Sequence, residues 1–278
     1  MQLIYNMLNA TGLAFLQYDF MKNAFLAVIL LTPMYAFIGT VVVNNRLAFF
    51  SDSIGHSALT GIALGVLIGI GSPIWSLILF SIAYAVLLVL VKTKSLSSVD
   101  TTIGVFTSIA LALSIAIFSK MGGINKYSSY LIGSLLSITP GDLLLLVIVF
   151  VIVIAFWLIY LKKVFIVGFN ADIAKSRGIS PIVTEIAFTV LLAIVVALSI
   201  QWIGILLVNS LLILPAAAAR NIAKGIKQYT FFAVIIAFLG GLIGLILSYY
   251  FETASGATIV LVLAVFYSLS FIAKKSRE

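Results

Sequence analysis

The chain has 278 residues, of which 63% are hydrophobic and only 9% are charged, and its net charge at pH 7 is +8. A soluble protein of this size needs a polar shell, which this composition cannot supply. The basic residues form small clusters between apolar runs, so the charge indicates membrane topology rather than nucleic-acid binding. The sequence has no cysteine, which excludes disulfides and thiolate metal sites.

Nine apolar segments are candidate membrane spans, because about 20 apolar residues cross a bilayer as a helix. They lack the alternation of barrel strands, so we predict an all-α polytopic helical bundle forming one transmembrane domain over residues 1–278. Very short turns near residues 72 and 201–204 separate two pairs, so we expect eight or nine helices. The segments are 20–43, 47–71, 73–91, 101–120, 140–161, 182–201, 203–219, 229–250 and 256–273.

The distribution of basic residues predicts the orientation. If the first span runs from outside to inside, all but three of the 16 Lys and Arg residues lie on the inner side, the exceptions being Lys22, Lys120 and Lys126. Cytoplasmic loops are enriched in Lys and Arg. We therefore expect the N-terminus outside and the C-terminus inside, an assignment that an even number of crossings would break.

Two outer segments are too polar to span the membrane. Residues 1–17 carry scattered apolar side chains such as Leu3 and Leu16, which predicts an amphipathic helix at the outer interface. The segment 126–142 is rich in Ser, Gly and Tyr, which predicts a re-entrant or surface loop.

Asp52 and His56, the only histidine, are four residues apart in the second apolar segment. On a helix they share one face, about 9 Å and 15 Å beyond Arg46, which places His56 near the midplane of a core about 30 Å thick. Ionisable groups at that depth usually face a cavity, a partner or a pathway. A carboxylate and an imidazole suit Mn²⁺, Fe²⁺ or Zn²⁺. The alternative is that Asp52 caps a late-starting helix and His56 bonds a neighbouring carbonyl group.

Gly61, Gly65 and Gly69 recur every four residues on the opposite face of the same helix. Small residues at this spacing allow two helices to approach closely, so we predict a packing ridge. The face that carries Asp52 and His56 remains free to line a path.

The inner segment 168–180 predicts a short helix capped by Asn170 and ended at Gly178, after which Ser180 and Pro181 open the next span. Such a helix on the cytoplasmic face is a surface that a peripheral partner could push against, and an ordinary connector is the alternative. Glu185, in the first turn of the next span, complements the positive end of that helix.

The sequence argues against an enzyme. It contains no Gly-rich loop ending in Gly-Lys-Ser or Gly-Lys-Thr, so any ATP must be hydrolysed by another chain. It also contains no G-x-S-x-G motif. An intramembrane enzyme that uses Asp52 and His56 as acid and base is the weakest of three hypotheses.

Residues 51–65, SDSIGHSALTGIALG, resemble the SD-x3-H-x3-PG-x-A signature of ABC permeases that import manganese, zinc or iron. Thr60 stands where this signature often has proline. Four further segments match the family in order and extend the resemblance over nearly the whole chain: YLIGSLLSITPGDL at 130–143, AKSRGIS at 174–180, GILLVNSLLILPAAAAR at 204–220 and SGATIVLVL at 255–263.

The resemblance implies a multi-pass permease subunit of the bacterial plasma membrane. It implies a homodimer that works with a cytosolic ATPase and an extracytoplasmic metal-binding protein, with no permanent cofactor. It also implies that Asp52 and His56 coordinate the transported Mn²⁺ or Zn²⁺. A permease for a metal chelate, such as a siderophore or cobalamin, is the alternative. The residues that the resemblance assigns to ATPase coupling are Asn170, Ala171, Asp172, Ala174, Lys175 and Gly178.

Overall fold

The computed structural model describes Tyr5 and residues 14–69, 73–95, 97–121 and 133–275, and all regular secondary structure in these ranges is helical. The prediction of an all-α chain is therefore confirmed. Two short 3-10 helices lie at Ala14–Gln17 and Leu135–Ser137. The α-helices of the described residues are α1 (Asp19–Asn44), α2 (Ala48–Ile68), α3 (Pro73–Lys94), α4 (Val99–Met121), α5 (Pro140–Phe169), α6 (Ala171–Ser176), α7 (Pro181–Ile222), α8 (Ile226–Tyr250) and α9 (Ser255–Lys275).

Eight helices of the described residues are long and apolar enough to cross a membrane. Helix α7 differs from the others because it has 42 residues and contains the non-helical Gly204, with φ 75° and ψ 163°. A straight helix of that length would extend about 63 Å, twice the thickness of the hydrocarbon core. The two predicted spans at 182–201 and 203–219 thus lie in one element that is interrupted at Gly204.

Local hydrogen bonds explain where two helices end and begin. After α1, Arg46 adopts a left-handed conformation and the Leu47 N–H donates to the Val42 carbonyl at 2.8 Å, the pattern of a Schellman cap. Before α5, the Asp142 carboxylate accepts from the backbone N–H and the hydroxyl of Thr139 at 2.9 and 2.6 Å. This capping interaction places residues 140–142 in the first turn of α5, so the predicted loop 126–142 ends earlier, at residue 139.

The two outer segments are only partly described. Residues 122–132, most of the predicted loop at 126–142, lie outside the described residues. So does most of the predicted interfacial helix at 1–17, of which Tyr5 and Ala14–Gln17 are described.

The chain divides into two compact units. The first comprises Met1–Thr40, Gly133–Trp157 and Leu206–Glu278, and the second comprises Val41–Ile132 and Leu158–Ile205. The second unit contains Asp52, His56 and the predicted coupling segment. The assignment of residues 1–278 to one permease domain stays a prediction.

Glycines of α8 hold the first unit together. A Cβ atom at Gly241 would lie 2.5 Å from Thr32 Cγ2 of α1, and one at Gly244 would lie 2.5 Å from Ile259 Cα of α9. Both distances are shorter than a van der Waals contact, so these helices approach one another only because a side chain is missing.

Helix α2 is the centre of the second unit and packs against both α3 and α4. A Cβ atom at Gly61 would lie 3.0 Å from Leu77 Cα, and one at Gly65 would lie 2.5 Å from Ser76 Cβ. The predicted packing ridge is therefore confirmed for these two glycines. Gly69 serves a different purpose, because it ends α2 in a left-handed conformation with φ 79°.

Candidate functional site

Asp52 and His56 lie in the first half of α2. The helix begins at Ala48, so the two residues are about 6 Å and 12 Å along a helix about 31 Å long. The N-cap residue is Leu47, which makes no side-chain capping bond. Asp52 is therefore already inside the helix, and the alternative in which it caps a late-starting helix is wrong.

The two side chains face each other across one turn. His56 Nε2 lies 3.7 Å from Asp52 Oδ1, which is within ion-pair range and beyond a hydrogen bond. His56 Nδ1 is buried and has no hydrogen-bond partner among the described residues. The structure thus gives no support to the alternative in which His56 bonds a neighbouring carbonyl group, and Nε2, which faces the Asp52 carboxylate, is the nitrogen that could take a metal ion.

This pair lies on an open face of α2. The Asp52 side chain is 45% exposed and the His56 side chain is 31% exposed. Phe49, one turn before Asp52, is also exposed, whereas Leu59 and Ala63 further along the same face are buried. The open region therefore extends from the start of α2 to His56, and the face is closed at Leu59 and Ala63 before it is exposed again at Leu67 near the helix end.

A hydrogen-bond network holds α2 from another side. Ser53 Oγ lies 2.6 Å from the Tyr84 hydroxyl of α3, and Thr107 Oγ1 of α4 donates to Ser53 Oγ at 2.6 Å. One turn beyond His56, the Thr60 hydroxyl donates to the Ala110 carbonyl of α4 at 2.7 Å. These bonds fix the rotation of α2, and with it the direction of the Asp52 and His56 side chains. Because α2 continues regularly through Thr60, the departure from proline leaves the helix intact.

Among the described residues, Asp52 and His56 are not joined by a third side chain of the usual metal-binding types. No group of three or more His, Cys, Asp or Glu side chains that could hold a metal ion occurs among the described residues. Two ligands bind a transition metal weakly, so tight binding would need further ligands.

The predicted coupling segment forms the short helix that the sequence indicated. Asn170 Oδ1 accepts from the N–H groups of Asp172 and Ile173 at 2.8 and 3.2 Å, which caps α6. Gly178 follows the helix with φ 72°, and the Ile179 N–H donates to the Ala174 carbonyl at 2.9 Å, which forms a Schellman cap. Helix α6 is thus defined at both ends, although its predicted role in coupling stays a prediction.

Of the other residues predicted for coupling, Asp172 and Lys175 form an exposed ion pair at 3.4 Å. Ala171 is exposed, whereas Ala174 is fully buried. Five of the six residues therefore lie at the surface, two of them as caps of the helix, and the buried Ala174 anchors it.

The sequence interpretation missed a second interaction near this segment. Glu185, which was assigned to the N-terminus of α7, accepts a hydrogen bond from Lys92 of α3. The two side chains are only 18% and 20% exposed. They are 93 residues apart in sequence, so no local pattern could have indicated the pair.

The model of the family described as the ABC 3 transport family matches residues 17–274. The chain is 29% identical to the high-affinity zinc uptake system membrane protein ZnuB of Haemophilus influenzae, over 93% of the chain and 99% of the relative. It is 28% identical to the manganese transport system membrane protein MntC of Listeria monocytogenes, over 92% and 91%. Among solved structures, PsaBC from Streptococcus pneumoniae in complex with Fab is similar with a TM-score of 0.79 and 27% identity, over 91% of each chain.

Proposed function

The chain belongs to the ABC 3 transport family, and we propose that it carries Mn²⁺ or Zn²⁺ inward past the Asp52 and His56 pair. It is a multi-pass cell-membrane protein and a permease subunit of an ABC transporter, and it is not itself an enzyme. We further propose which metal it carries, which residues bind it, how the chain is oriented in the membrane and which proteins it works with.

The observation that carries the proposal is the geometry of the pair on α2. An aspartate in the hydrocarbon region costs about 3 kcal/mol, so it is retained where it serves a cavity or a pathway. Its carboxylate oxygen lies 3.7 Å from His56 Nε2, so an oxygen and a nitrogen face the same space on α2. Mixed oxygen and nitrogen ligands suit Mn²⁺ and Zn²⁺, which are the metals in the names of the relatives MntC and ZnuB.

A two-ligand site fits a transporter better than it fits a resident metal centre. An importer must release its ion, so weak binding is an advantage. In a homodimer with two-fold symmetry, the second copy contributes the same pair, and four protein ligands surround the ion. An extracytoplasmic metal-binding protein delivers the ion, and a cytosolic ATPase drives transport by pushing on α6.

The basic residues support an N-terminus outside and a C-terminus inside. With this orientation both ends of α7, near Arg177 and Arg220, lie on the cytoplasmic side. Helix α7 must then cross the membrane twice, which its 42 residues and its break at Gly204 allow. This chain therefore has nine crossings in the proposed topology. Accessibility of single cysteines placed at Arg220 and at Gly69 to a membrane-impermeant reagent would test it, because only the second should react from outside.

The test of the pathway is metal uptake by cells that lack the native permease and carry Asp52→Ala or His56→Ala. We expect uptake of Mn²⁺ or Zn²⁺ to fall at least tenfold while membrane insertion stays normal. Asp100→Ala is the matched control, since Asp100 is an exposed carboxylate in the first turn of α4. Normal uptake by both α2 variants would refute the pathway role. If a metal chelate, and not the free ion, stimulates ATP hydrolysis by the permease assembled with its ATPase, the chelate permease is favoured instead.

A further inference from the structure

The predicted coupling segment lies between two helices that are each bonded to another part of the second unit. Helix α5 ends at Phe169, directly before the N-cap Asn170, and α7 begins at Pro181, shortly after Gly178. A force on α6 can therefore reach the rest of this unit through the end of α5 and the start of α7, to which the short helix is directly joined. The contacts made by these two ends show where it goes.

The start of α7 is tied to the end of α3. Glu185 in the second turn of α7 pairs with Lys92 in the last turn of α3, and both side chains are about four-fifths buried. A partly buried ion pair that is hydrogen-bonded resists separation, because either group alone would be left buried without its counter-charge. Helix α3 in turn packs against α2 and bonds Ser53 through Tyr84.

The end of α5 is tied to the turn that leads into α2. Asn45 in this turn donates to the Val164 carbonyl of α5 at 3.3 Å. The Asn45 side chain also lies directly against Gly168, where a Cβ atom would come within 2.9 Å of Asn45 Nδ2 and closer still to Oδ1. Only glycine at position 168 leaves room for this contact. Helix α2 begins at Ala48, so Asn45 is next to the helix that carries Asp52 and His56.

A cavity of about 160 Å³ borders both contacts and is lined by Asn45, Gly168, Lys92 and Glu185, among others. Close packing would transmit movement through many atoms at once. Here the helix ends border a gap, so movement at this point depends more on the two polar contacts than it would in a closely packed region.

We propose that the Lys92–Glu185 pair and the Asn45–Gly168 contact transmit movement of α6 to α2 and so open or close the path at Asp52 and His56. This inference rests on the proposed function, because it requires α6 to receive the push of the ATPase. In this proposal the four residues position α2, and they do not contact the ion.

The first test exchanges the charges in the permease assembled with its ATPase subunit. We expect Lys92→Glu and Glu185→Lys each to lower metal uptake per ATP hydrolysed by tenfold or more, while ATP hydrolysis continues. The double variant restores the pair in reverse and should recover at least half of the ratio, which a role in folding alone would not predict. Lys94→Glu, at an exposed position of the same helix end, is the matched control and should behave as the unaltered complex.

The second test keeps the fold intact and changes only the other contact. Gly168→Ala favours the helix, because alanine has the higher helix propensity, yet it displaces Asn45. We expect uptake per ATP hydrolysed to fall at least threefold. Gly104→Ala is the matched control, since a Cβ atom there meets no other atom within 4 Å.

The outcomes separate the inference from the function on which it rests. If the unaltered complex and the two controls import metal and the charge variants keep the ratio of the unaltered complex, the inference is overturned and the proposed function stands. The inference is also overturned if the double variant folds but does not recover metal uptake per ATP hydrolysed. If the unaltered complex imports no metal, the proposed function fails and the inference fails with it.

Discussion

Replacement of Gly61 by alanine is the most direct test of how α2 is held in place. A Cβ atom at this position would lie 3.0 Å from Leu77 Cα and 2.9 Å from Phe80 Cβ. Carbon atoms pack at about 3.5–4.0 Å, so α2 and α3 would have to separate by about 0.5–1 Å. The neighbouring atom at Leu77 belongs to the backbone and cannot rotate away.

The expected effect follows from two opposing terms. Overpacking a close contact costs about 1–3 kcal/mol. Alanine gains up to about 1 kcal/mol over glycine in a helix. Gly104→Ala gains the second term without the first, because nothing lies within 4 Å of its Cβ atom. The difference between the two variants is therefore about 1–3 kcal/mol, or about 2–12 °C in apparent Tm for a chain of this size.

The assay is thermal unfolding of the purified chain in detergent, with both variants measured beside the unaltered protein. We expect Gly61→Ala to unfold at a lower temperature than Gly104→Ala. Uptake should also fall, because separation of α2 from α3 disturbs the Ser53–Tyr84 bond behind Asp52. Equal unfolding temperatures would refute the argument that contact at Gly61 determines the approach of the two helices.

Two further predictions concern single hydrogen-bonding groups. Tyr84→Phe removes one bond to Ser53, so the free energy of unfolding should fall by about 1 kcal/mol. The apparent Tm should therefore be lower than that of Tyr250→Phe, which changes an exposed tyrosine. Equal Tm values for the two variants would contradict this. Asn170→Ala removes the cap of α6, at about 1 kcal/mol, so the amides of Asp172 and Ile173 should exchange hydrogen faster and uptake should fall. Asn170→Asp keeps an accepting oxygen and should preserve both, so identical behaviour of the two variants would argue against capping as the cause.

Much of the fold was predictable because lipid imposes one rule on every span. An apolar run long enough to cross must be helical, and the predicted segments 73–91 and 229–250 correspond to Pro73–Lys94 and Ile226–Tyr250. Hydropathy locates the apolar part of a helix and not its end, which is why α5 continues past Lys162 and Lys163 to Phe169. Hydropathy also cannot tell a turn between two helices from a break within one helix, so only the structure shows that α7 is broken at Gly204.

The candidate site was predictable to the extent that it is local. The spacing of Asp52 and His56 placed them on one face, and Asn170 and Gly178 carried the capping signals of α6. The Lys92–Glu185 pair and the contact of Asn45 with Gly168 depend on helices that meet only in the folded unit. Glu185 illustrates the difficulty, because a carboxylate in the first turns of a helix already has a sufficient local explanation.

The two sides of α2 have different properties, and this difference constrains how an ion can pass. On one side Ser53, Thr60 and Gly61 bind the helix to α3 and α4 through hydrogen bonds and close packing. On the other side Asp52 and His56 are partly exposed and find no third ligand among the described residues. A path through the tied side would break these contacts, so the proposed path runs along the open side. In the proposed homodimer, the second copy would supply its own Asp52 and His56 to complete the coordination of the ion from that open side.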